Sequence, residues 1–334
     1  MDRAGLLGID NQGAEVRVVP FRDIGALVSH RPAVAYGSIP KEALLRHLAA
    51  HQSVIEQVMQ NHTVIPMKFG TLLRDQAEVQ DMLEVGYPQL QSALWAIYNK
   101  IEINVVATWS NLEAIIKELG KPEELRRFFT LTGEEIAARS AEEAKIELGR
   151  AVKAALDERR AKCAAEILEV LKDRAEDFSI NDLMDDSMIT NIAFLLDRDK
   201  EGGFDFTINK LNENYKERIN FRCVGPLPPY SFATTEVKKT EFASIDEARK
   251  ILELGEQAGL SEIKEAHRRL ARQYHPDSNP GDSHATEIFK KISEAYALLT
   301  EHTQHSQSSF QEEKDSKDFI TVKVLRLAEI KAAL

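Results

Sequence analysis

The sequence predicts an α+β fold: two small α/β-sandwich domains, a long helical segment between them and an inserted helical hairpin near the C-terminus. Short apolar runs alternate with helix-patterned stretches early in the chain and again after residue 181. A charge-rich stretch without proline separates these two regions, and one strand-like run lies beyond the hairpin. The predicted division is an N-terminal α+β domain at 1–110, a helical segment at 111–180, a C-terminal α+β domain at 181–242 plus 306–334, and a helical insert at 243–305.

The composition indicates a folded protein that does not bind nucleic acid. The chain has 334 residues, of which 43% are hydrophobic and 29% charged, and 54 Asp+Glu against 43 Lys+Arg give a net charge of −11. Because phosphate contacts need a basic face, this acidic balance argues against a nucleic-acid partner. Cys163 and Cys223 are too few for a zinc site or a disulfide framework. No apolar run approaches the roughly 18–20 residues that a membrane span needs. We therefore expect a cytoplasmic protein without a membrane span.

The N-terminal domain is predicted from alternating strands and helices. "AGLLGID" and "AEVRVVPF" are predicted strands around the turn "NQG", and "DIGALVS" is a third. One apolar stripe predicts a helix over 39–60, and "TVIPMKF" predicts a strand interrupted by Pro66. Helices around 76–84 and 87–99 then precede the predicted strand "EINVVATW". A ferredoxin-like unit, with helices on one face of a sheet, fits this order best.

Residues 133–178 predict a long amphipathic helix. The stretch is rich in Ala, Glu, Lys and Arg, and its apolar residues recur at roughly heptad spacing. We expect its charged face to be solvated and its apolar stripe to pack within the chain; a partner-binding arm is the alternative. A break is expected near Gly149. The stripe consists of Ile146, Val152, Leu156, Cys163, Ile167, Val170 and Leu171.

The C-terminal domain is predicted from a second alternation. "MITNIAFLL", "INFRCVG" and "SFATTEV" are predicted strands, and "FDFTINKLNENYKERI" is a predicted helix. The run "FITVKVLRL" alternates with period two and needs a sheet to join, and the nearest strand lies before residue 240. We therefore interpret residues 243–305 as an insertion between two strands of one domain, which loops accept at little entropic cost.

The insert is predicted to be a pair of antiparallel helices with His275, Pro276 and Asp277 at its exposed tip. Pro276 cannot continue a helix and disfavours the α conformation at the residue before it, so "SEIKEAHRRLARQY" ends there, with Ser261 as its N-cap. "HATEIFKKISEAYALLT" forms the second helix. The stripes expected to be buried are Ile263, Ala266, Leu270 and Tyr274 in the first helix and Ile288, Ile292, Ala295 and Leu299 in the second.

Motifs of enzymes and metal sites are missing from the sequence. It has no Gly-rich phosphate loop, no HExxH, no GxSxG and no clustered Cys/His set. "DSNPGD" is not a calcium loop, because Gly281, Asp282 and Ile288 stand where a ligand, the sharp-turn Gly and the bidentate Glu should be. We therefore predict no enzyme activity, no metal and no cofactor.

The insert resembles a J domain. The resemblance rests on a basic helix, the tripeptide His275-Pro276-Asp277, "NPGD" and the pattern "FKKISEAYALL", although Ser278 stands where a Lys or Arg usually follows the tripeptide. J domains dock on a DnaK-type chaperone and stimulate its ATP hydrolysis. The resemblance implies that the tripeptide carries the stimulation, and that a basic face contacts the acidic surface of the chaperone. That face consists of Lys264, Arg268, Arg269 and Arg272.

The rest of the chain resembles the gas vesicle proteins GvpL and GvpF. "VPFRDIGALVS", "LAAHQSVIEQVMQNHTVIPMKFGTLLRD" and "FRCVGPLPPYSF" carry the resemblance. It implies an accessory protein of gas vesicle assembly, located in the cytoplasm with gas vesicles, that binds the hydrophobic shell subunit and other gas vesicle proteins. The alternative is a general J-domain co-chaperone. We interpret His51 as a structural histidine, and Lys68 as either a surface charge or a partner contact.

Overall fold

The computed structural model describes residues 3–7, 15–30, 32, 36–121, 141–305 and 319–326. The predicted turn "NQG", the first part of the predicted long helix at 133–140 and the last residue of "FITVKVLRL" lie outside these ranges. The chain forms two compact units, and they do not coincide with the four predicted segments. Unit 1 is drawn from Met1–Val54, Met67–Ser92 and Thr235–Val324, and unit 2 from Ile55–Pro66, Ala93–Thr234 and Leu325–Leu334.

The strands and helices of the described residues are numbered in chain order. The strands are β1 Arg3–Leu7, β2 Glu15–Phe21, β3 Ile24–Ser29, β4 Lys100–Trp109, β5 Asp177–Ile180, β6 Met188–Asp197, β7 Ile219–Leu227, β8 Thr234–Thr240 and β9 Phe319–Leu325. The helices are α1 Lys41–Met59, α2 Gln76–Ala96, α3 Leu112–Leu119, α4 Ala141–Lys172, α5 Glu201–Asn214, α6 Phe242–Ile251, α7 Leu260–Tyr274 and α8 Ser283–His305.

Two of the predicted elements in the N-terminal region were wrong. "TVIPMKF" is not a strand, because only Met67 pairs there, in an isolated parallel bridge to Thr235. The helices predicted at 76–84 and 87–99 are one helix, α2, which continues through Pro88. Proline removes one backbone hydrogen bond from a helix, and here packing of the buried face outweighs that loss, since Leu83 and Leu90 on either side are both buried.

Unit 2 contains a four-stranded sheet of order β5-β6-β4-β7 in which every neighbouring pair is antiparallel. Its chain order, strand–helices–strand–strand–helix–strand, is the split βαβ arrangement of a ferredoxin-like fold. Strand β4 was predicted as part of the N-terminal segment, yet it is hydrogen-bonded to both β6 and β7. Period-two alternation identified β4 as a strand but carried no information about its neighbours.

Helices α3, α4 and α5 cover one face of this sheet and enclose its core. Helix α4 runs without interruption past Gly149, so the predicted break is absent. Its predicted stripe is only partly buried: Ile167 is fully buried, whereas Ile146 is 53% and Val170 44% exposed. Heptad spacing therefore identified the helix but overstated the width of its packed face.

Unit 1 begins with the antiparallel sheet β1-β2-β3. The turn between β2 and β3 places Arg22 at φ 51°, and Asp23 beside it accepts hydrogen bonds from Tyr87 Oη at 2.6 Å and from Gln91 Nε2 at 2.9 Å. These bonds join the turn to α2.

Strand β9 pairs with β8, so the terminal run finds its partner before residue 240, as predicted. Helices α6, α7 and α8 lie between these two strands in the chain and share a core of their own. In the described part of the chain, no helix combines the length and apolar character that a bilayer-spanning segment requires.

Candidate functional site

Helix α7 starts at Leu260, two residues earlier than the predicted cap implies. Its N-cap is Gly259 rather than Ser261, with extended backbone at φ −92° and ψ 176°. The backbone N–H of Gly259 donates to Glu262 Oε2 at 2.8 Å. A side chain in the first turn thus satisfies a backbone group at the start of the helix, so Ser261 is not needed as a cap.

The tip of the hairpin is built by hydrogen bonds between side chains and the backbone. His275 leaves the helix at φ −61° and ψ 136°, as expected for a residue before proline. The Asn279 amide nitrogen donates to the carbonyls of Gln273 at 2.9 Å and His275 at 3.1 Å, which satisfies acceptors at the end of α7. Asp282 Oδ1 accepts from two N–H groups in the first turn of α8, at 2.9 and 3.1 Å. The tip therefore has a defined backbone conformation.

His275 and Asp277 interact through the backbone. The Asp277 N–H donates to His275 Nδ1 at 3.1 Å, whereas Asp277 Oδ2 lies 3.6 Å from the same nitrogen, beyond hydrogen-bond distance. Since Nδ1 acts as an acceptor, the neutral ring carries its proton on Nε2. The ring also packs edge-on against Phe289, with centroids 5.3 Å apart. The tip thus offers an Nε2–H donor and the carboxylate of Asp277, whose side chain is 91% exposed.

The four predicted basic residues lie on the exposed surface of α7. Arg268 and Arg272 line an open groove together with His275, so the structure brings the basic face and the tripeptide together. Lys264 lies one helical turn further from the tip than Arg268. Arg269 differs from the others because its Nη1 lies 2.7 Å from Glu253 Oε2.

A three-helix core supports this surface. His267, which also lines the groove, stacks on Tyr296 of α8 with centroids 4.1 Å apart, and burial lowers the pKa of His267. Ile288 and Tyr274, predicted to be buried, are only half-buried. The fully enclosed members of the core are Ile245, Ala248, Leu252, Ile263, Ala266, Leu270, Ile292, Ala295 and Leu299.

Sequence reasoning missed four residues that shape the site: Asn279, Phe289, His267 and Glu253. A polar residue soon after Pro276 could have suggested the role of Asn279, because Asn often caps helix ends and turns. The other three contact residues of a different structural element, so nothing in their local sequence indicates those contacts.

The other residues considered from sequence have structural contacts. His51 Nε2 lies 3.3 Å from the Met67 carbonyl oxygen, and burial lowers the pKa of His51. Lys68 Nζ forms an ion pair with Glu236 at 2.6 Å. Among the described residues, no group of three or more His, Cys, Asp or Glu side chains is arranged to hold a metal ion.

Comparison with known proteins explains both parts of the chain. The family model described as "Gas vesicle synthesis protein GvpL/GvpF" matches residues 2–234, more than half of the chain. The chain belongs to the GvpL/GvpF family. A second model, described as "DnaJ domain", matches residues 238–307, so this GvpL/GvpF protein carries the hairpin within a C-terminal J domain. Both resemblances predicted from sequence are confirmed.

Individual relatives agree with this assignment. Gas vesicle protein F of a Streptomyces species is 32% identical over 225 residues, 67% of this chain and 90% of that protein. Gas vesicle protein F of Microcystis aeruginosa is 26% identical over 210 residues. Chaperone protein DnaJ of Anaplasma marginale is 54% identical over 50 residues, 15% of this chain and 13% of that protein. The crystal structure of GvpF from Anabaena sp. has a TM-score of 0.57 at 22% identity over 68% of this chain and 90% of that one, which confirms the mixed α/β fold.

Proposed function

We propose that this protein is an accessory factor of gas vesicle assembly that holds the hydrophobic shell subunit and recruits a DnaK-type chaperone to it. The proposal is supported by the union of a GvpL/GvpF region and a J domain in one chain. A very apolar subunit associates without specificity when it is released alone, so its assembly benefits from a holding protein. Linking that protein to a J domain raises the local concentration of chaperone at the same cargo.

The observation that carries the chaperone part is the geometry of the α7 tip. The tripeptide has a fixed turn, a partly exposed imidazole on His275 and an exposed carboxylate on Asp277. Arg268 and Arg272 line the groove beside it. These two arginines would first attract and orient an acidic surface of the chaperone, and the His-Pro-Asp tip would then bind to that surface. The protein itself performs no bond chemistry in this scheme, because the chaperone hydrolyses ATP.

The chaperone role is tested by measuring ATP hydrolysis of a purified DnaK-type chaperone in the presence of the full-length protein. We expect wild type to stimulate hydrolysis and His275→Gln to abolish the stimulation, because the variant loses the imidazole and its packing on Phe289. Asp199→Asn, an exposed change in unit 2, is the matched control and should stimulate like wild type. Equal stimulation by wild type and His275→Gln, or none by wild type, would reject a working J domain.

The cargo role is tested by pull-down of the shell subunit with the full-length protein. Wild type and His275→Gln should capture equal amounts, because binding is assigned to the GvpL/GvpF region. Addition of chaperone and ATP should release subunit only from wild type. Failure to capture the shell subunit, combined with capture of an unrelated unfolded protein, would favour the alternative of a general J-domain co-chaperone.

A further inference from the structure

A ribbon of two strands, β8 and β9, flanks the J domain in the chain. Only Glu241 separates the end of β8 from the start of α6, and it has extended backbone at φ −63° and ψ 139°. After α8 the chain returns as β9 and pairs with β8, and Thr321 Oγ1 lies 3.5 Å from the Lys238 carbonyl oxygen. The J domain therefore enters and leaves through paired strands.

Strand β8 is fixed to the segment that precedes α2 and to α2 itself. The Lys68 N–H donates to the Thr235 carbonyl at 2.7 Å, and Lys68 Nζ pairs with Glu236 at 2.6 Å. Lys239 Nζ lies 2.7 Å from Glu78 Oε1, and the Glu78 side chain is only 5% exposed. Arg74 Nε also lies 3.0 Å from Glu78 Oε1. Breaking the Lys239 contact is still costly, because the buried carboxylate would lose one of these two compensating charges. These contacts hold β8 in place.

Strand β9 lies unusually close to α2. A Cβ atom placed on Gly86 would be 2.7 Å from Val322 Cγ1 and 2.9 Å from Val322 Cβ, closer than real side-chain atoms approach. Val322 is 1% exposed, so it has little room to move. Gly86 therefore permits this contact by having no side chain.

The same strand also covers the J domain. Phe319 packs against the three-helix core, and its ring centroid lies 4.4 Å from that of His302, which is buried near the end of α8. Lys323 Nζ forms an ion pair with Glu301 at 2.5 Å. The C-terminal turns of α8 are thus packed against β9.

We infer that β9 is a structural part of the J domain and that the β8–β9 ribbon clamps this domain to α2. The J domain is then a fixed part of unit 1 and not a body on a tether. The stretch matched as a DnaJ domain ends at residue 307 and so stops short of the strand that completes it. A change at Gly86, far from the J domain in sequence, should consequently loosen the end of α8.

The inference is tested by hydrogen–deuterium exchange of the full-length protein, read by mass spectrometry on peptides from β9 and from the second half of α8. In Gly86→Ala we expect both peptides to exchange about tenfold faster or more, because β9 must move away from α2. Phe319→Ala should raise the exchange rate of the α8 peptide while the exchange rate of α2 stays at the wild-type value. This variant tests the inference if Gly86→Ala does not fold. Gly149→Ala, where an added Cβ meets nothing within 4 Å, is the matched control and should leave these peptides unchanged.

Two results would overturn the inference. Either β9 exchanges faster in Gly86→Ala while α8 keeps its wild-type rate in both variants, which would make the J domain independent, or β9 itself is unaffected by Gly86→Ala. Neither result depends on chaperone or cargo, so failure here and failure of the proposed function are distinguishable.

Discussion

At the scale of single residues, Asp197 at the end of β6 illustrates how a local ion pair sets acid sensitivity. Lys200 Nζ lies 2.7 Å and Lys100 Nζ 2.9 Å from its carboxylate oxygens. The hydrogen bonds from Lys200 and then Lys100 lower the pKa of Asp197 from 3.8 to about 2. A carboxyl group whose pKa falls on folding stabilises the protein above the unfolded pKa, and this contribution is lost as pH falls through the folded pKa.

We therefore predict that Asp197→Asn lowers the stability of unit 2 by about 1 kcal/mol at pH 7, and that the difference from wild type is much smaller at about pH 2, where half of the folded-state carboxyl is protonated. Urea denaturation at both pH values, followed by a probe in unit 2, measures this. Asp199→Asn, at an exposed position nearby, should change stability by less than about 0.5 kcal/mol. An equal loss of unfolding free energy at both pH values would show that the charge of Asp197 is not the cause.

Individual site residues were predictable where the backbone itself imposes the structure. Pro276 disfavours the α conformation at His275, so the end of α7 and the exposed tip followed from sequence. The pairing of Arg269 with Glu253 did not follow, because it joins α7 to the turn after α6 through space. His267 was missed for the same reason, since its partner Tyr296 lies on α8.

At the scale of elements, the basic face of α7 makes a prediction about docking. Arg268→Ala combined with Arg272→Ala should weaken chaperone stimulation severalfold, because these two side chains line the groove beside His275. Arg269→Ala alone should matter less, since Glu253 already engages that guanidinium. The measurement is chaperone ATP hydrolysis as a function of concentration of this protein. Wild-type stimulation should itself fall with added salt, as the Debye length shrinks from about 10 Å at 0.1 M to about 3 Å at 1 M.

The matched control removes the same charge from the other helix of the hairpin. Lys290 and Lys291 are exposed on α8, and each lies near a glutamate one turn away. Lys290→Ala combined with Lys291→Ala should leave stimulation close to wild type. If both double variants lose stimulation equally, net charge and not the α7 face governs docking.

The type of most helices and strands was predicted correctly, but their bounds and their buried faces were predicted less well. The long helix α4 was evident from its periodicity, yet Ile146 and Val170 share that periodicity and remain exposed. Helix α2 was predicted as two separate helices, and the buried contacts on both sides of Pro88 explain why it is continuous. The local sequence pattern indicates which residues could be buried. Packing against the rest of the fold determines which of them are buried.

At the scale of the whole molecule, we predict that the insert can be removed without unfolding unit 2. Replacing residues 242–305 by a flexible Gly/Ser linker should leave the thermal transition of unit 2 unchanged, because the core of that unit is built from residues between Met59 and Ile219. Shell-subunit capture should persist, and chaperone stimulation should disappear. Calorimetry, pull-down and ATP hydrolysis measure the three properties.

The His275→Gln protein is the appropriate comparison, because it keeps all three helices of the insert. Loss of shell-subunit capture after the replacement, with capture kept in His275→Gln, would assign cargo binding to the insert.

Family membership and the mixed α/β class were accessible from sequence, whereas the assembly of the sheets was not. The final strand was correctly matched with one before residue 240, because an alternating strand cannot remain unpaired and few candidates were near. Strand β4 was grouped with its neighbours in sequence, yet its hydrogen bonds go to β6 and β7, well over a hundred residues away in the latter case. Sheet neighbours depend on complementary faces across the fold, which single-sequence periodicity does not encode.

The junction at Glu241 has a mechanical consequence. A single residue lies between β8 and α6, the first helix of the J domain, so no flexible linker joins the two on that side. If a chaperone docks at the His-Pro-Asp tip as proposed, a force applied there is transmitted through α7 and α6 to the β8–β9 ribbon and to the ion pair of Lys239 with the buried Glu78. Under the proposed function, the J domain would then transmit force from the chaperone to the rest of unit 1 in addition to recruiting that chaperone.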